Sequence, residues 1–233
     1  LPFKRVVVKV GTNMLTAGTD RLDLAVMASL VSQIARIKAQ GTQVVLVSSG
    51  AVAAGKARLR QTAPLVELPT RQVWAAIGQS LLMEAYDQLF RWHDVTVAQA
   101  LLTRSDLQNR LSYLNARNTF LGLLNLGVVP IVNENDVVAV EELADVRIGD
   151  NDNLSALVAA LVEADALVLL TDIDGLYSAD PRRVPDAELL PVVERIDASI
   201  EALAGGTVSG RGIGGMVTKL QRSEEHTSEL QSH

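Results

Sequence analysis

A three-layer αβα sandwich around a mostly parallel open sheet is the α/β fold that this sequence predicts. Apolar β-branched runs alternate with segments of helical periodicity, and the polar clusters able to do chemistry follow directly on the apolar runs. Strand–helix alternation of this kind makes right-handed crossovers between parallel strands, with helices on both faces. In such sheets ligands bind beyond the carboxyl ends of the strands, where these polar clusters fall.

The elements follow in order. Arg5 to Val10 is a β-branched run of the sort a strand buried on both faces requires. From Leu22 to Gln40, the residues Leu24, Met27, Leu30, Val31, Ile34 and Ile37 recur at helical spacing, and Gly41 is the stop. Val44 to Val47 reads as a second strand, after which Ser48-Ser49-Gly50 opens a helix of small residues. Thr62 to Pro69 reads as a loop inside one domain. Arg71 to Trp92 is helical, Val95 to Leu101 a strand, and Ser105 to Leu126 one helix closed by Gly127. Val128 to Val132 is a strand that runs into a polar loop. Asn153 to Glu163 is a helix with Asn153 as its cap, and Ala166 to Leu170 is the last clear strand.

Composition narrows the function. An apolar fraction of 48% in 233 residues is ample for a core. No apolar stretch approaches the roughly 20 residues that cross a bilayer, and the start LPFKRVVVKVG has no secretory pattern, so a cytoplasmic protein without a membrane partner is expected. The absence of cysteine excludes disulfides and thiolate metal sites and fits a reducing compartment. A charge of −6 with no basic stripe argues against a nucleic-acid partner. The last twelve residues, Arg222 to His233 (RSEEHTSELQSH), match the in-frame translation of a widely used sequencing adapter. They are expected to be a non-native tail, leaving residues 1–221 as one domain cut off inside a helix at its C-terminal end. Without the tail, His93 is the only histidine, which rules out a histidine triad or histidine metal site.

Two polar loops carry the chemistry. Asn133-Glu134-Asn135-Asp136 and Gly149-Asp150-Asn151-Asp152-Asn153 flank apolar runs where carboxylates and amides have no packing purpose. Caps and turns would use the same residue types, but not two acidic loops in succession within one crossover. Such loops can hold an ammonium group and orient lysines, and two lysines stand near glycines: Lys9 in VVVKVGT and Lys219 in GIGGMVTK. Lys9 interrupts an apolar strand, as a snorkelling edge lysine or as a point charge for phosphate oxygens in a closed cleft. Ser48-Ser49-Gly50-Ala51 puts hydroxyls and free amides at a helix start, suited to anions. The glycines from Gly205 to Gly215 read as a phosphate-covering loop with Lys219 on the following helical turn, although no Walker A spacing is present. Asp174-Gly175 has the composition of a hairpin turn, and Ala179-Asp180-Pro181 that of another; Thr171-Asp172 ahead of them could contact a nucleotide. Together these features suggest a kinase for a small, amine-bearing substrate.

VVVKVGT, LVSSGAVAAGK, AAIGQSLLMEAYDQLF, IVNENDVVA, GDNDNLSALVA, LLTDIDGLYSADPR and GGMVTKLQ, in this order from Val6 to Gln221, resemble the amino acid kinase family, and SSGAVAAG with NEND and GDND resembles its glutamate 5-kinase branch. The resemblance implies ATP-dependent phosphorylation of the L-glutamate γ-carboxylate to glutamyl 5-phosphate, the first step of proline synthesis. It implies that Lys9 and Lys219 stabilise the transferring phosphoryl group and that Asp152 orients them. Ser49, Asp136 and Asn151 would contact glutamate. Thr171, Asp172 and the run Ile213, Gly214, Gly215, Met216, Val217, Thr218 and Lys219 would face ATP, together with Lys9. Asp106 falls where family members respond to proline as feedback inhibitor. Mg²⁺ would be held by ATP phosphates and water, without a protein ligand, and a homo-oligomer is expected by analogy. Ile213 replaces a hydroxyl residue often found before Gly-Gly-Met. The family's kinase domain continues past Gln221, and many bacterial members add a PUA domain, so the piece is expected to bind ATP weakly or fold poorly alone. Three other readings stay open: an amino acid kinase for aspartate, acetylglutamate, carbamate or UMP; the kinase half of a bifunctional pyrroline-5-carboxylate synthase; and a non-catalytic amino-acid sensor on the same fold.

Overall fold

The computed structural model describes residues 2–62, 71–138, 151–181, 183–195 and 200. Residues 63–69 of the expected loop, Gly149-Asp150, the glycine-rich segment with Lys219, and the C-terminal tail lie outside the described residues. In chain order the elements are β1 (Arg5–Val10), α1 (Thr12–Leu15), α2 (Leu24–Ala39), β2 (Gln43–Ser48), α3 (Ala51–Thr62), α4 (Arg71–Arg91), β3 (Val97–Leu102), α5 (Arg104–Gln108), α6 (Arg110–Asn125), β4 (Val129–Glu134), α7 (Asn151–Leu161) and β5 (Ala166–Leu170). The strands form one sheet in the order β3-β4-β2-β1-β5, and every pairing is parallel.

Alternation along the strands divides the core in two, because successive side chains point to opposite faces. Val6, Val8 and Val10 of β1 join Val44 and Leu46 of β2 in one core; Val7, Val45 and Val47 join the other. The first core is closed by Met27, Leu30, Val31 and Ile34 of α2 and by Leu82, Tyr86, Leu89 and Phe90 of α4. The second is closed by Leu107 of α5, Phe120 and Leu124 of α6, and Leu154, Val158 and Leu161 of α7. These are the three layers the alternation predicted. Each such large apolar side chain contributes about 1.5–3 kcal/mol on full burial.

Turn chemistry sets the entry to the site. Gly50, at φ 108°, takes a left-handed conformation that side chains resist, and this lets the chain leave β2 and start α3 within two residues. α2 begins at an Asp23 cap whose carboxylate accepts the amides of Ala25 and Val26.

Three local expectations are corrected. The single helix expected from Ser105 to Leu126 is two: Thr103 caps a short α5, and Asn109 caps α6 by accepting the amides of Leu111 (3.0 Å) and Ser112 (3.1 Å). An asparagine side chain that can bond its own backbone interrupts a helix more cheaply than periodicity alone indicates. Asn153 is not a cap, since α7 already starts at Asn151, whose amide and whose neighbour Asp152 are both held by tertiary partners. Finally, of the two turns expected after β5, the one at Ala179-Asp180-Pro181 holds, while Asp174-Gly175 lies in a bend ahead of the hairpin and not at its reversal. Tyr177 bridges Leu189 antiparallel, and the reversal lies at Asp180, whose carbonyl accepts the amides of Arg183 and Val184.

Candidate active site

Register brings the polar motifs to one edge. Val10 is abreast of Ser48 on one side and Leu170 on the other, and Val47 is abreast of Val132. The residues that follow (Gly11, Ser49, Asn133 onward, and Thr171-Asp172) therefore emerge together at the carboxyl edge, as the sequence predicted.

Lys9 is not an edge lysine. β1 lies between β2 and β5, and Lys9 is only 7% exposed, on the face of the sheet covered by α7. Its ammonium makes an ion pair with Asp152, itself 1% exposed in the first turn of α7. An ammonium at that depth without a partner would be strongly destabilising; the carboxylate compensates it. A methyl group at Gly11 would stand 3.6 Å from Lys9 Nζ, so the glycine leaves space beside the charge.

Next to the ion pair, Asn151 joins the ends of two strands. Its Nδ2 donates to Ser49 Oγ (2.7 Å) and Asn133 Oδ1 (3.0 Å), with a longer approach to the Ser48 carbonyl (3.4 Å). Asn133 Oδ1 also accepts the Glu134 amide (2.9 Å), and Asn133 Nδ2 donates to Gln79 Oε1 of α4 (2.8 Å). The backbone amide of Ser49 is taken by the Val10 carbonyl (3.1 Å), so that amide is not free for an anion as expected; the Ser49 hydroxyl is what faces the site's amides. Below it, the Ser48 hydroxyl pairs with Tyr86 (2.8 Å) and reaches the Ser49 carbonyl (3.0 Å). Burial pushes the Tyr86 phenol well above its ordinary pKa, outweighing the opposing effect of the Ser48 hydrogen bond, so the ring stays neutral.

Lys9, Asp152, Asn151 and Ser49 are thus brought together. Asp136, just past β4, sits at the same edge with its carboxylate 3.4 Å from Arg71 Nη2 of α4. Thr171 donates to Asp172 (3.2 Å) where β5 ends. Asp106 stands apart, after β3 at the far side of the sheet, and its carboxylate is engaged in a capping box with Thr103. Ile213, Gly214, Gly215, Met216, Val217, Thr218 and Lys219 lie outside the described residues. Sequence reading placed Asn133 in the first polar loop without an individual role, and assigned none to Gln79, Arg71 or Tyr86. Gln79 and Tyr86 did carry a signal: both occupy the helical stripe of α4 that buries Ala75, Gly78 and Leu82.

A parallel sheet whose carboxyl edge gathers a buried lysine–aspartate pair, amides and hydroxyls defines a class, and sequence comparison agrees with it. The chain belongs to the amino acid kinase family, whose model matches residues 4–225. Among its relatives are proteins named glutamate 5-kinase. That of Dehalococcoides mccartyi is 55% identical over 97% of this chain and 61% of that protein. Those of Herpetosiphon aurantiacus (55%) and Deinococcus radiodurans (54%) each match 94% of this chain, and 59% and 60% of their own lengths. The chain therefore spans about three fifths of the curated relatives it matches. Among solved structures, a carbamate kinase from Giardia lamblia bound to AMP-PNP superposes with a TM-score of 0.64 over 98% of this chain and 90% of that one, at 21% identity; this likeness shows the fold.

Proposed function

We propose that the chain is the kinase domain of an enzyme that transfers the γ-phosphoryl group of ATP to the γ-carboxylate of L-glutamate. The observation that carries the reading is the buried Lys9–Asp152 pair, one residue along α7 from the amide that links Ser49 and Asn133. Identity of 54–55% to proteins named glutamate 5-kinase supports glutamate over other acceptors.

A γ-carboxylate has a reference pKa near ~4.3 and is already ionised at neutral pH, so the reaction needs no general base. A carboxylate oxygen forms the new P–O bond while the bond from the γ-phosphorus to the β–γ bridging oxygen breaks. ADP leaves with that electron pair, and no proton has to move. The obstacle is repulsion between two anions, of about 4 kcal/mol per pair of unit charges at ~4 Å and an effective dielectric of ~20. Lys9, held in place by Asp152, offsets it, and Lys219 is the proposed second cation. Ser49, Asn151 and Asp136 take the amino acid: the hydroxyl serves the carboxylate, the amide oxygen and the acid the ammonium. Thr171, Asp172 and residues 213–219 take the nucleotide. Among the described residues no group of three or more acidic or histidine side chains could hold a metal. Mg²⁺ would be held by the ATP phosphates and water, where it would supply charge neutralisation.

The proposal extends to regulation and setting. Proline, a cyclic product of the same carbon skeleton, acts as feedback inhibitor with Asp106 in the responding region, the protein assembles as a homo-oligomer, and the reaction is cytoplasmic. No described helix is long and apolar enough to cross a membrane.

The test is trapping of the acyl phosphate with hydroxylamine in the presence of Mg-ATP. Hydroxamate is expected with L-glutamate, not with aspartate or acetylglutamate, and is expected to fall by about 10²–10³ in Lys9→Met, the usual loss for one preorganised charge stabiliser. A folded chain that binds glutamate but forms no hydroxamate would be a sensor, and the kinase reading would be wrong.

A further inference from the structure

Gln79 has no role in the reaction just described, yet it is wired into the amino-acid floor. Its Oε1 accepts from Asn133, while its Nε2 is buried without a hydrogen-bond partner; the one other buried amide atom in that condition among the described residues is Asn151 Oδ1. Direction along this chain of amides is not arbitrary. The backbone N–H of Glu134 can only donate, and it donates to Asn133 Oδ1, which fixes which end of that amide faces which way. Asn133 Nδ2 must then find an acceptor, and Gln79 Oε1 is that acceptor. Asn133 Oδ1, turned toward α7, requires Asn151 to present Nδ2. With Nδ2 spent on Asn133 and Ser49, Asn151 keeps its oxygen unpartnered, and the Ser49 oxygen, already accepting, keeps its own proton for another partner.

We propose that Gln79 is a positioning residue that anchors Asn133 in the orientation set by the Glu134 amide, so that Ser49 offers a donor to a carboxylate and Asn151 an acceptor to an ammonium. The proposal rests on the amino-acid substrate reading above and deepens it. The unpartnered Nε2 supports it, because an orphaned buried donor is destabilising and an apolar residue of the same length would avoid it. What such a residue could not supply is the oxygen that Asn133 needs. The helix carrying Gln79 is held close: Gly78 lies so near the Ala51 carbonyl of α3 that a Cβ would stand 1.7 Å from it. Seven residues further along α4, Tyr86 pairs with Ser48. One face of α4 thus meets both arms of the site.

The experiment compares the purified 233-residue chain with Gln79→Met, which keeps length without the amide, and Gln79→Glu, which keeps the accepting oxygen. Calorimetry measures binding of L-glutamate and, separately, of AMP-PNP. ¹⁵N–¹H spectra follow solvent exchange of the Asn133 and Asn151 side-chain amide protons in ligand-free protein. Gln79→Met is expected to weaken L-glutamate about tenfold, the effect of one buried hydrogen bond lost with its partner left unsatisfied. It should speed exchange of both amides and leave AMP-PNP unchanged, and Gln79→Glu should recover part of the glutamate affinity. Unchanged glutamate binding and protected amides in a folded Gln79→Met would overturn the proposal, and so would equal weakening of both ligands with a lowered Tm. Amides that are protected in wild type and released in Gln79→Met, in a chain that does not bind L-glutamate, would sink the substrate reading and leave the anchoring of Asn133 standing.

Discussion

The same substitution, glycine to alanine, should have opposite signs at two helical positions. In an open helix it stabilises by about 1 kcal/mol, because glycine loses more backbone freedom on folding. At Gly122 of α6 an added Cβ would meet nothing within 4 Å, so Gly122→Ala should gain roughly 0.5–1 kcal/mol. At Gly78 of α4 the added carbon would stand 1.7 Å from the Ala51 carbonyl oxygen and 2.5 Å from the Gly55 amide nitrogen. Both are backbone atoms of α3, so no side chain can swing aside. Reaching even 3.0 Å from the oxygen requires a displacement of at least 1.3 Å between the helices. Overpacking typically costs about 1–3 kcal/mol; with two rigid backbone contacts the upper end applies, and less the propensity gain of about 1 kcal/mol a net loss of about 2 kcal/mol is expected. Near 2–4 °C per kcal/mol for a chain of this size, that is a fall in Tm of roughly 4–8 °C, against a rise of about 1–4 °C for Gly122→Ala. Urea titration and calorimetry measure both. Because Gly78 adjoins Gln79 and presses on the first residue of α3, Gly78→Ala should also weaken binding of the proposed substrate, L-glutamate, whereas Gly122→Ala should not. A Gly78→Ala chain at least as stable as wild type would refute the packing argument.

Other expectations follow from single contacts. Asp152→Leu or Lys9→Met alone strands a buried charge and should lose about 3–5 kcal/mol, whereas the double variant should lose clearly less than the two together; additive losses in urea would show that the pair is not coupled. Tyr86 keeps its proton in the fold to higher pH than in the unfolded chain, so its contribution is intact below about pH 10 and declines above it. Its absorbance step at alkaline pH should therefore coincide with unfolding and vanish in Tyr86→Phe; a Tyr86 ionisation near pH 10 in the folded chain would contradict the burial. Asp106→Ala removes half of the α5 capping box and should destabilise by about 1 kcal/mol by calorimetry, with no change expected only if the box carries no energy.

The strands and long helices were legible because their signals are local. The β-branched run at β1 and the stripe in α2 from Met27 to Ile34 each report a periodicity that tertiary structure does not alter. Helix ends were less legible where a side chain chose between two bonds. Asn109 could have donated its backbone to one long helix or capped a second; its oxygen meets two amides at the start of α6, and the cap wins. The start of α7 was misplaced for a different reason. Asn151 and Asp152 have residue types that favour caps, but Ser49 and Lys9, about a hundred or more residues away in sequence, hold them inside the first turn.

The site divides along the same line. Alternation places Lys9 on the face of Val7, yet nothing local says that α7 covers that face and delivers Asp152 to it; that pairing was implied by resemblance, and the ion pair is its geometry. Gln79 was legible in principle. In a right-handed crossover between parallel strands, the helix begins at the carboxyl edge of the sheet and runs back along it. A polar residue on the buried stripe in the first half of such a helix therefore has the ligand edge beside it rather than the core beneath it. Gln79 fits that placement: α4 starts at Arg71, which reaches Asp136 past the end of β4, and the apolar Leu89 and Phe90 fill the core at its other end. The stripe's periodicity, read together with strand direction, distinguishes a buried polar residue that serves packing from one that serves the site. Here the distinction turns on whether Asn133, and through it Ser49 and Asn151, changes when Gln79 loses its oxygen.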